Sequence, residues 1–278
     1  NALGQPIYVD GMNEKGMSGG LMNAPGTAVY QKPSATDSKN SIASYQMLVY
    51  ALSNFATVEE VKKGFSQIFV NSSALGAYKG IVQVRMQLHD AQGKSIVVEY
   101  LDGKLVIHDN PIGVTTNDPP FSWHLTNLGN YVNLTPVEHN AISIKGQKIS
   151  PPSSGSGLAG IPGDMLSTSR FVRAVIYSSS APKGSAKQQV NTVWHIMDNF
   201  DIPPGSINLP ASNPYGGGAG GYEMTEWTVI ADPTNQVYYA RTFENPSPQA
   251  YDLKKADVNA KELKFIKLNT TPSIQSLN

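Results

Sequence analysis

Residues 10–16, Asp-Gly-Met-Asn-Glu-Lys-Gly, decide the fold because they turn the chain back between two extended segments. Before them, Pro-Ile-Tyr-Val at residues 6–9 predicts a short strand, and residues 17–23 predict a second strand after the turn. Gly19 and Gly20 are adjacent inside that second strand, a pattern that marks a close approach either of neighbouring backbone or of a ligand. The sequence therefore predicts an antiparallel pair at the start of the chain.

Helices and then a β-meander follow this pair. Apolar residues at helical spacing predict helices over residues 41–55 and 57–69. Thr57 and Glu60 have the spacing of a capping box, so the second helix is expected to begin there. Over residues 81–115 the apolar period becomes two, with Gly-containing turns between the runs, which predicts an antiparallel meander.

The second half of the chain repeats this grouping. Helical patterns cover residues 121–131, 167–178 and 186–200, and alternating patterns predict closing strands over residues 224–231 and 236–243. Separate runs of strands and helices predict an α+β fold, with helices packed on an antiparallel sheet or sandwich, and not a parallel βαβ sheet.

Two long segments, residues 132–163 and 203–221, are rich in Pro and Gly and have no regular pattern. A loop this long inside a compact domain is usually functional or an assembly element. No linker separates two cores, so residues 1–278 are predicted to form a single domain.

The composition excludes several classes of protein. Lys plus Arg and Asp plus Glu number 21 each, so there is no basic excess for nucleic acid. The sequence has no apolar run of about 18 residues, and a membrane span is not expected. Five histidines, among them His124 and His195, are scattered without ligand spacing, so no metal and no cofactor are predicted. There is no cysteine, which excludes disulfides and a thiol nucleophile within these residues.

Three polar side chains have a local interpretation. Asn23 ends the Gly-rich strand and Asn117 precedes a Pro-Pro turn, positions where asparagine commonly forms an Asx-turn or a cap. Arg170, near the start of a predicted helix, would by default be a solvated charge or the partner of a carboxylate. Nothing local points beyond these roles.

Three motifs change this interpretation: residues 10–16, Thr-Asn-Asp-Pro at residues 116–119, and residues 160–173, which begin Gly-Ile-Pro-Gly-Asp and end Ser-Arg-Phe-Val-Arg. In this order and spacing they resemble the choloylglycine hydrolase family, which contains conjugated bile acid hydrolases and penicillin V acylases. The resemblance implies a four-layer αββα sandwich of the N-terminal nucleophile hydrolase type. It also implies hydrolysis of an amide C–N bond.

The resemblance assigns roles to the three side chains. Asn23 lies thirteen residues after Asp10, where the family has a residue that donates its backbone N–H to the oxyanion. Asn117 matches the residue that donates a side-chain amide to the same oxyanion. Arg170, 53 residues further on, matches the arginine that holds the nucleophile and the surrounding charge.

The family's nucleophile is an N-terminal cysteine whose own α-amino group is the base. That cysteine, and an Arg and an Asp that follow it, precede the Asp-Gly turn in the family, whereas only nine residues precede Asp10 here. One explanation is a separate polypeptide segment that packs with this chain. The other is a truncated chain or a catalytically inactive binding protein that keeps the family pocket. We expect the separate segment, because a chain that starts within a sheet would leave an unpaired edge.

The resemblance also bears on substrate and assembly. The expected substrate is an N-acyl small molecule with a bulky apolar acyl group: a conjugated bile acid, penicillin V or an acyl-homoserine lactone. Bile acid hydrolases usually have Asn at the position of Asn23, where several acylases have Tyr. Residues 132–163 resemble a loop that builds tetramers in one branch, so a homotetramer is predicted, with a surface loop as the alternative. The low charged fraction, 15%, favours a periplasmic or secreted protein, with a cytoplasmic location as the alternative.

Overall fold

The computed structural model describes residues 7–75, 80–210, 221–272 and 276–277. The helices in these residues are α1 (Met47–Asn54), α2 (Val58–Phe65), α3 (Phe121–Asn127), α4 (Ser167–Ser180) and α5 (Ala186–Asp198). The strands of the first half are β1 (Asp10–Met12), β2 (Ser18–Asn23), β3 (Ser41–Ala43), β4 (Phe69–Asn71), β5 (Val84–His89), β6 (Ser95–Leu101) and β7 (Lys104–Asp109). The strands of the second half are β8 (Ile142–Ile144), β9 (Gln147–Ile149), β10 (Ile207–Leu209), β11 (Gly221–Glu223), β12 (Trp227–Asp232), β13 (Val237–Thr242) and β14 (Gln249–Asp252).

The central sheet has five antiparallel strands in the order β1-β2-β5-β6-β7, which confirms the predicted meander. Gly19 in β2 is required by close packing, because a Cβ there would lie 2.2 Å from the carbonyl oxygen of Gln87. Of the predicted strand over residues 6–9, residue 6 lies outside the described residues and residues 7–9 are not in a strand: pairing begins at Asp10, which lies opposite Gly20. The turn is shorter than expected because the Asn13 side chain accepts backbone N–H bonds inside it.

Helices α1 and α2 cover the outer face of this sheet with an apolar core. The core joins Met47 and Leu48 of α1, Val61 and Phe65 of α2, and the outward residues of β5 and β6. The capping box is confirmed: the Thr57 hydroxyl accepts the Glu60 N–H, and the Glu60 carboxylate accepts the Thr57 N–H. The helical layer is therefore fixed by local capping and by packing on the sheet.

The predicted helix over residues 41–55 is wrong in its first third. Residues Ser41–Ala43 form β3, which pairs in parallel with β4, and α1 begins only at Met47. The Ser44 hydroxyl donates to the Val82 carbonyl at 2.6 Å and fixes the junction. Ile42 packs against the apolar core from strand β3, and it would also face that core from a helix. Apolar spacing therefore could not distinguish a strand from a helix here.

A second sheet, β12-β13-β14, lies against the inner side of the first, and residues of both sheets line one cavity. From β13, Tyr238 donates a hydrogen bond to the Asp10 carboxylate in β1. Arg241 lies on the opposite face of β13, where it pairs with Asp198 and stacks on Trp194, both in α5. The order helix, sheet, sheet, helix confirms the predicted α+β class and the αββα sandwich.

Other boundaries differ from the sequence prediction. The segment 132–163 contains the β8–β9 hairpin, and strand β14 was not predicted. Strand β10, inside the expected loop 203–221, pairs with β11, while residues 211–220 of that loop lie outside the described residues. These short strands depend on pairing partners distant in sequence, which periodicity does not reveal.

Candidate active site

The structure brings the three predicted site residues into one hydrogen-bonded chain. Asn23 ends β2, Asn117 follows β7, and Arg170 lies in the first turn of α4. Arg170 Nη2 donates to Asn117 Oδ1 at 2.9 Å, and Asn117 Nδ2 donates to the Asn23 carbonyl oxygen at 2.9 Å. Residues separated by 53 and 94 positions therefore meet at one corner. Their catalytic roles stay a prediction.

The backbone of Asn23 points toward this corner. Leu21 donates its N–H toward β1, to the Val9 carbonyl, and Ala24 donates in the other direction, to the Gln83 carbonyl. Because backbone groups alternate along a strand, the N–H and C=O of Asn23 share the direction of Leu21 and point away from β5. The Asn23 N–H and the Asn117 amide are thus directed to the same side.

Arg170 fixes the orientation of the Asn117 amide. Its guanidinium donates to Oδ1, so the nitrogen of the amide must face Asn23. Arg170 also donates from Nε to the Met165 carbonyl at 3.0 Å. Burial lowers the pKa of Arg170, Arg173 lowers it further, and Glu223 acts in the opposite direction. An arginine stays protonated at neutral pH, so the corner keeps one positive charge.

The corner opens into a cavity of about 600 Å³. Its walls combine the amides and guanidinium with the apolar side chains of Ile202, Tyr222 and Met224, and with the carboxylates of Glu223 and Glu226. The cavity thus combines a polar corner with an apolar wall, and its volume lies in the range of sites for small organic molecules. One N–H group from Asn23, one amide and one cation can together stabilise a developing negative charge on an oxygen.

A buried ion pair that the sequence analysis missed supports the Asn117 loop. Arg85 and Glu99, with side chains 1% and 2% exposed, face each other across β5 and β6 at 3.2 Å. Arg85 also donates to the Pro119 carbonyl and lies 3.6 Å from Asp118. Asp118 in turn accepts the Gly26 N–H at 2.7 Å, just beyond Asn23. The sequence signal for this ion pair was one charged residue within each otherwise apolar strand, Arg85 in β5 and Glu99 in β6.

Among the described residues, no cluster of three potential metal ligands occurs, and no helix is both long and apolar enough to cross a membrane. The described lining of the site contains two amides, one guanidinium and the carboxylates of Asp118, Glu223 and Glu226.

Comparison with known proteins identifies the family. The family model of linear amide C–N hydrolases of the choloylglycine hydrolase type matches residues 2–266. The chain belongs to the choloylglycine hydrolase family. The resemblance seen in the motifs is thereby confirmed, as is the class of enzyme, an amide hydrolase.

Relatives of this choloylglycine hydrolase family member include a bile salt hydrolase and a penicillin V acylase. A bile salt hydrolase/transferase of Clostridium perfringens is 32% identical over 275 residues, which is 98% of this chain and 80% of the relative. A penicillin V acylase of Pectobacterium atrosepticum is 27% identical and is matched over 97% of this chain and 68% of its own length.

Solved structures agree with the fold. A crystal structure of a cysteine-to-alanine mutant of the conjugated bile acid hydrolase from Clostridium perfringens superposes with a TM-score of 0.86 at 30% identity. The superposition covers 98% of this choloylglycine hydrolase family chain and 80% of the other. Penicillin V acylase from Agrobacterium tumefaciens, with a TM-score of 0.67 and 24% identity, supports the fold alone.

Proposed function

We propose that this chain supplies the oxyanion donors and the organising cation of a cysteine-dependent amidase. The sulfur nucleophile attacks the carbonyl carbon of an N-acyl amide. The Asn23 N–H and the Asn117 Nδ2 donate to the developing oxyanion, and Arg170 holds the Asn117 amide in its orientation. The C–N bond then breaks, the protonated amine leaves, and water releases the acid from the thioester. The observation that carries this proposal is the meeting of these three residues at the wall of one cavity.

The 278 residues contain no cysteine, so the proposal places the nucleophile on a polypeptide segment outside them. The space on the inner side of the central sheet offers room for such a segment. A second cavity of about 560 Å³ lies between the central sheet and α4 and α5, and it is lined by apolar side chains including Met22, Ile196, Phe200 and Val229. An extended peptide could bury its own apolar residues there.

For the substrate we propose an N-acyl amide with a bulky apolar acyl group. A conjugated bile acid, penicillin V and an acyl-homoserine lactone all meet this description. Asn at position 23 favours the bile acid within this set. Ile202, Tyr222 and Met224 provide an apolar wall for the acyl group next to the amide donors.

Two measurements test the proposal together. Intact mass and N-terminal sequencing of the natural protein are expected to reveal a companion peptide that begins with Cys. Hydrolysis of glycocholate, penicillin V and a long-chain acyl-homoserine lactone should show turnover of at least one, abolished by iodoacetamide. A protein without any such peptide that hydrolyses none of the three would contradict the enzymatic role.

The second candidate function is a catalytically inactive binding protein that keeps the family pocket. It predicts binding without turnover of the same amides. Calorimetric titration with glycocholate, run beside the hydrolysis assay, separates the two functions.

We further propose a homotetramer that uses residues 132–163. Its β8–β9 hairpin is exposed throughout, including Ile142, Ile144 and Ile149, and exposed apolar groups of this kind are often covered by a partner. Light scattering of the natural protein should give four copies, and Ile144→Asp should give smaller species. A monomeric parent would exclude the tetramer.

A periplasmic or secreted location is proposed from the low charged fraction, and cell fractionation tests it.

A further inference from the structure

The backbone carbonyl of Asn117 has a contact of its own, separate from the two hydrogen bonds that its side-chain amide makes. Its side chain is fixed by Arg170 and Asn23, as described above. Its carbonyl oxygen lies 2.9 Å from Nε2 of His124. His124 lies in α3, whereas the other two residues belong to α4 and β2. Three separate elements therefore fix one residue.

His124 is fully buried, with 0% of its surface exposed. Its ring stacks on Phe171 of α4, with ring centroids 4.6 Å apart and planes at 21°. The Thr116 hydroxyl lies 3.5 Å from Nε2 and also donates to the Ser167 carbonyl at the start of α4. The imidazole is thus wedged between the Thr116–Asn117 loop and the helix that carries Arg170.

The contact fixes the protonation of the ring. A carbonyl oxygen can only accept, so Nε2 of His124 carries the proton that is donated to Asn117. Nδ1 is buried and has no hydrogen-bond partner among the described residues. A second proton there would be both unsolvated and unpaired. Burial accordingly lowers the pKa of His124, and the ring is neutral at neutral pH.

We propose that His124 is a positioning residue, whose Nε2–H bond holds the Asn117 main chain so that the side-chain amide stays aimed at the oxyanion. This inference rests on the proposed function of Asn117. His124 does not line the cavity and does not touch substrate. It acts through Asn117, and displacing a catalytic group by about 1 Å can cost roughly 100-fold in rate.

Paired substitutions separate this role from simple packing. His124→Leu keeps an apolar side chain against Phe171 and removes the donor, whereas His124→Gln keeps an N–H donor at a similar distance. Leu125→Gln changes the adjacent, half-exposed position of the same helix and is the control. The measurements are kcat and KM of the natural protein for penicillin V or, where penicillin V is not turned over, for glycocholate. The Kd of the matching carboxylate product, phenoxyacetate or cholate, is measured by calorimetry.

We expect His124→Leu to lower kcat about 10- to 100-fold with KM within about twofold, because the transition state depends on the amide more than the ground state does. It should weaken binding of the carboxylate product about tenfold, the order of one lost hydrogen bond to a charged group. His124→Gln should recover both values to within about threefold, and Leu125→Gln should resemble the parent.

Several results would overturn the inference. Equal losses in the Leu and Gln variants would show that only packing matters, as would a rise in KM as large as the fall in kcat. If the parent hydrolyses no amide but binding of either carboxylate product still depends on the donor, the proposed function fails and the positioning role stands. If the parent hydrolyses none of glycocholate, penicillin V and the long-chain acyl-homoserine lactone and binds neither carboxylate product, both fail.

Discussion

Strand β5 carries two different surfaces, and their difference separates stability from function. Val84, Met86 and Leu88 point outward into the apolar core beneath α1 and α2. Arg85 and Gln87, on the inner face, bind the Pro119 carbonyl and the Gly113 carbonyl of the following loops. The outer face of β5 binds the helices through apolar packing, and the inner face binds the loops through directed hydrogen bonds.

This difference determines how amino-acid substitutions on each face affect stability and catalysis. Apolar packing is non-directional and tolerates substitutions that conserve volume. A buried polar network tolerates little, because each lost partner leaves an unsatisfied group. Substitutions on the outer face should therefore lower stability while leaving catalysis intact. Those on the inner face should disturb the Asn117 loop.

The largest effect is expected for Glu99→Gln on the inner face. Removing one partner of a buried ion pair costs about 3–5 kcal/mol, because Arg85 stays charged inside the sandwich. Urea denaturation measures the loss. The matched control is Glu59→Gln, in an ion pair at the surface, which should cost less than about 1 kcal/mol. Equal losses at the two sites would remove the distinction between the faces.

Next in size is the catalytic effect of Asn117→Ala. Loss of one oxyanion donor should lower kcat/KM about 100- to 1000-fold. The melting temperature should change far less than for Glu99→Gln. Asn54→Ala, at the exposed end of α1, is the control and should keep full activity. A fully active Asn117→Ala variant would show that this amide does not serve the reaction.

On the outer face, Leu48→Ala should cost about 3 kcal/mol, since the side chain is completely buried and leaves a cavity. At temperatures well below melting, kcat/KM should equal that of the parent. Denaturant titration and a rate assay on the same sample check both. A loss of activity in the folded variant would mean that the outer core also shapes the site.

Stability should fall as the pH is lowered from 6.5 to 5. Burial lowers the pKa of His124 and of His89 in the folded state, with Asp90 opposing the shift at His89. Below an unfolded-state pKa of about 6.5 the unfolded chain therefore binds more protons, and protonation favours it. Each histidine contributes at most about 1.4 kcal/mol per pH unit.

Unfolding curves at several pH values measure this slope, and His89→Gln should reduce it. The lowered pKa values of Asp164 and Glu138 act mainly below about pH 5, where carboxylates of the unfolded chain begin to bind protons, and so contribute little in this window. A slope unchanged by His89→Gln would mean that other groups carry the pH dependence.

The smallest effect belongs to the helix cap. Thr57→Ala should cost about 1 kcal/mol, because it removes the acceptor of the Glu60 N–H at the start of α2. Thr57→Ser keeps the hydroxyl and should therefore retain most of the parent's stability. Thermal melting compares the two, and identical losses would show that the cap contributes through its methyl group.

The sequence predicted best what depends on neighbours along the chain. The capping box of α2 and the β5–β6–β7 meander require only a few residues each, and both were found. The apolar spacing of residues 41–43 predicts a helix, whereas the structure has strand β3, because its parallel pairing with β4 leaves no periodic signal in the sequence. The tertiary pairing overrode the local pattern.

The candidate site shows the same limit. Spacing alone assigned Asn23 and Asn117 to turns or caps, and only the family resemblance placed them together with Arg170. The Arg85–Glu99 pair was missed because it depends on the register of β5 and β6, one step beyond the Met86–Val98 pair. His124 was recognised as a helical residue, but its contact with Asn117 arises from how the loop folds back on α3.

The carboxylate of Asp10 accepts hydrogen bonds from Trp227 and Tyr238, more than two hundred positions away. A protease that cut the exposed β8–β9 turn would separate the chain into two fragments, one holding Asp10 and the other holding both donors. The fragments would stay joined through the facing sheets and through α4 against the meander. We therefore expect the two fragments to stay associated after a cut at that turn, which native gel filtration of the nicked protein would check.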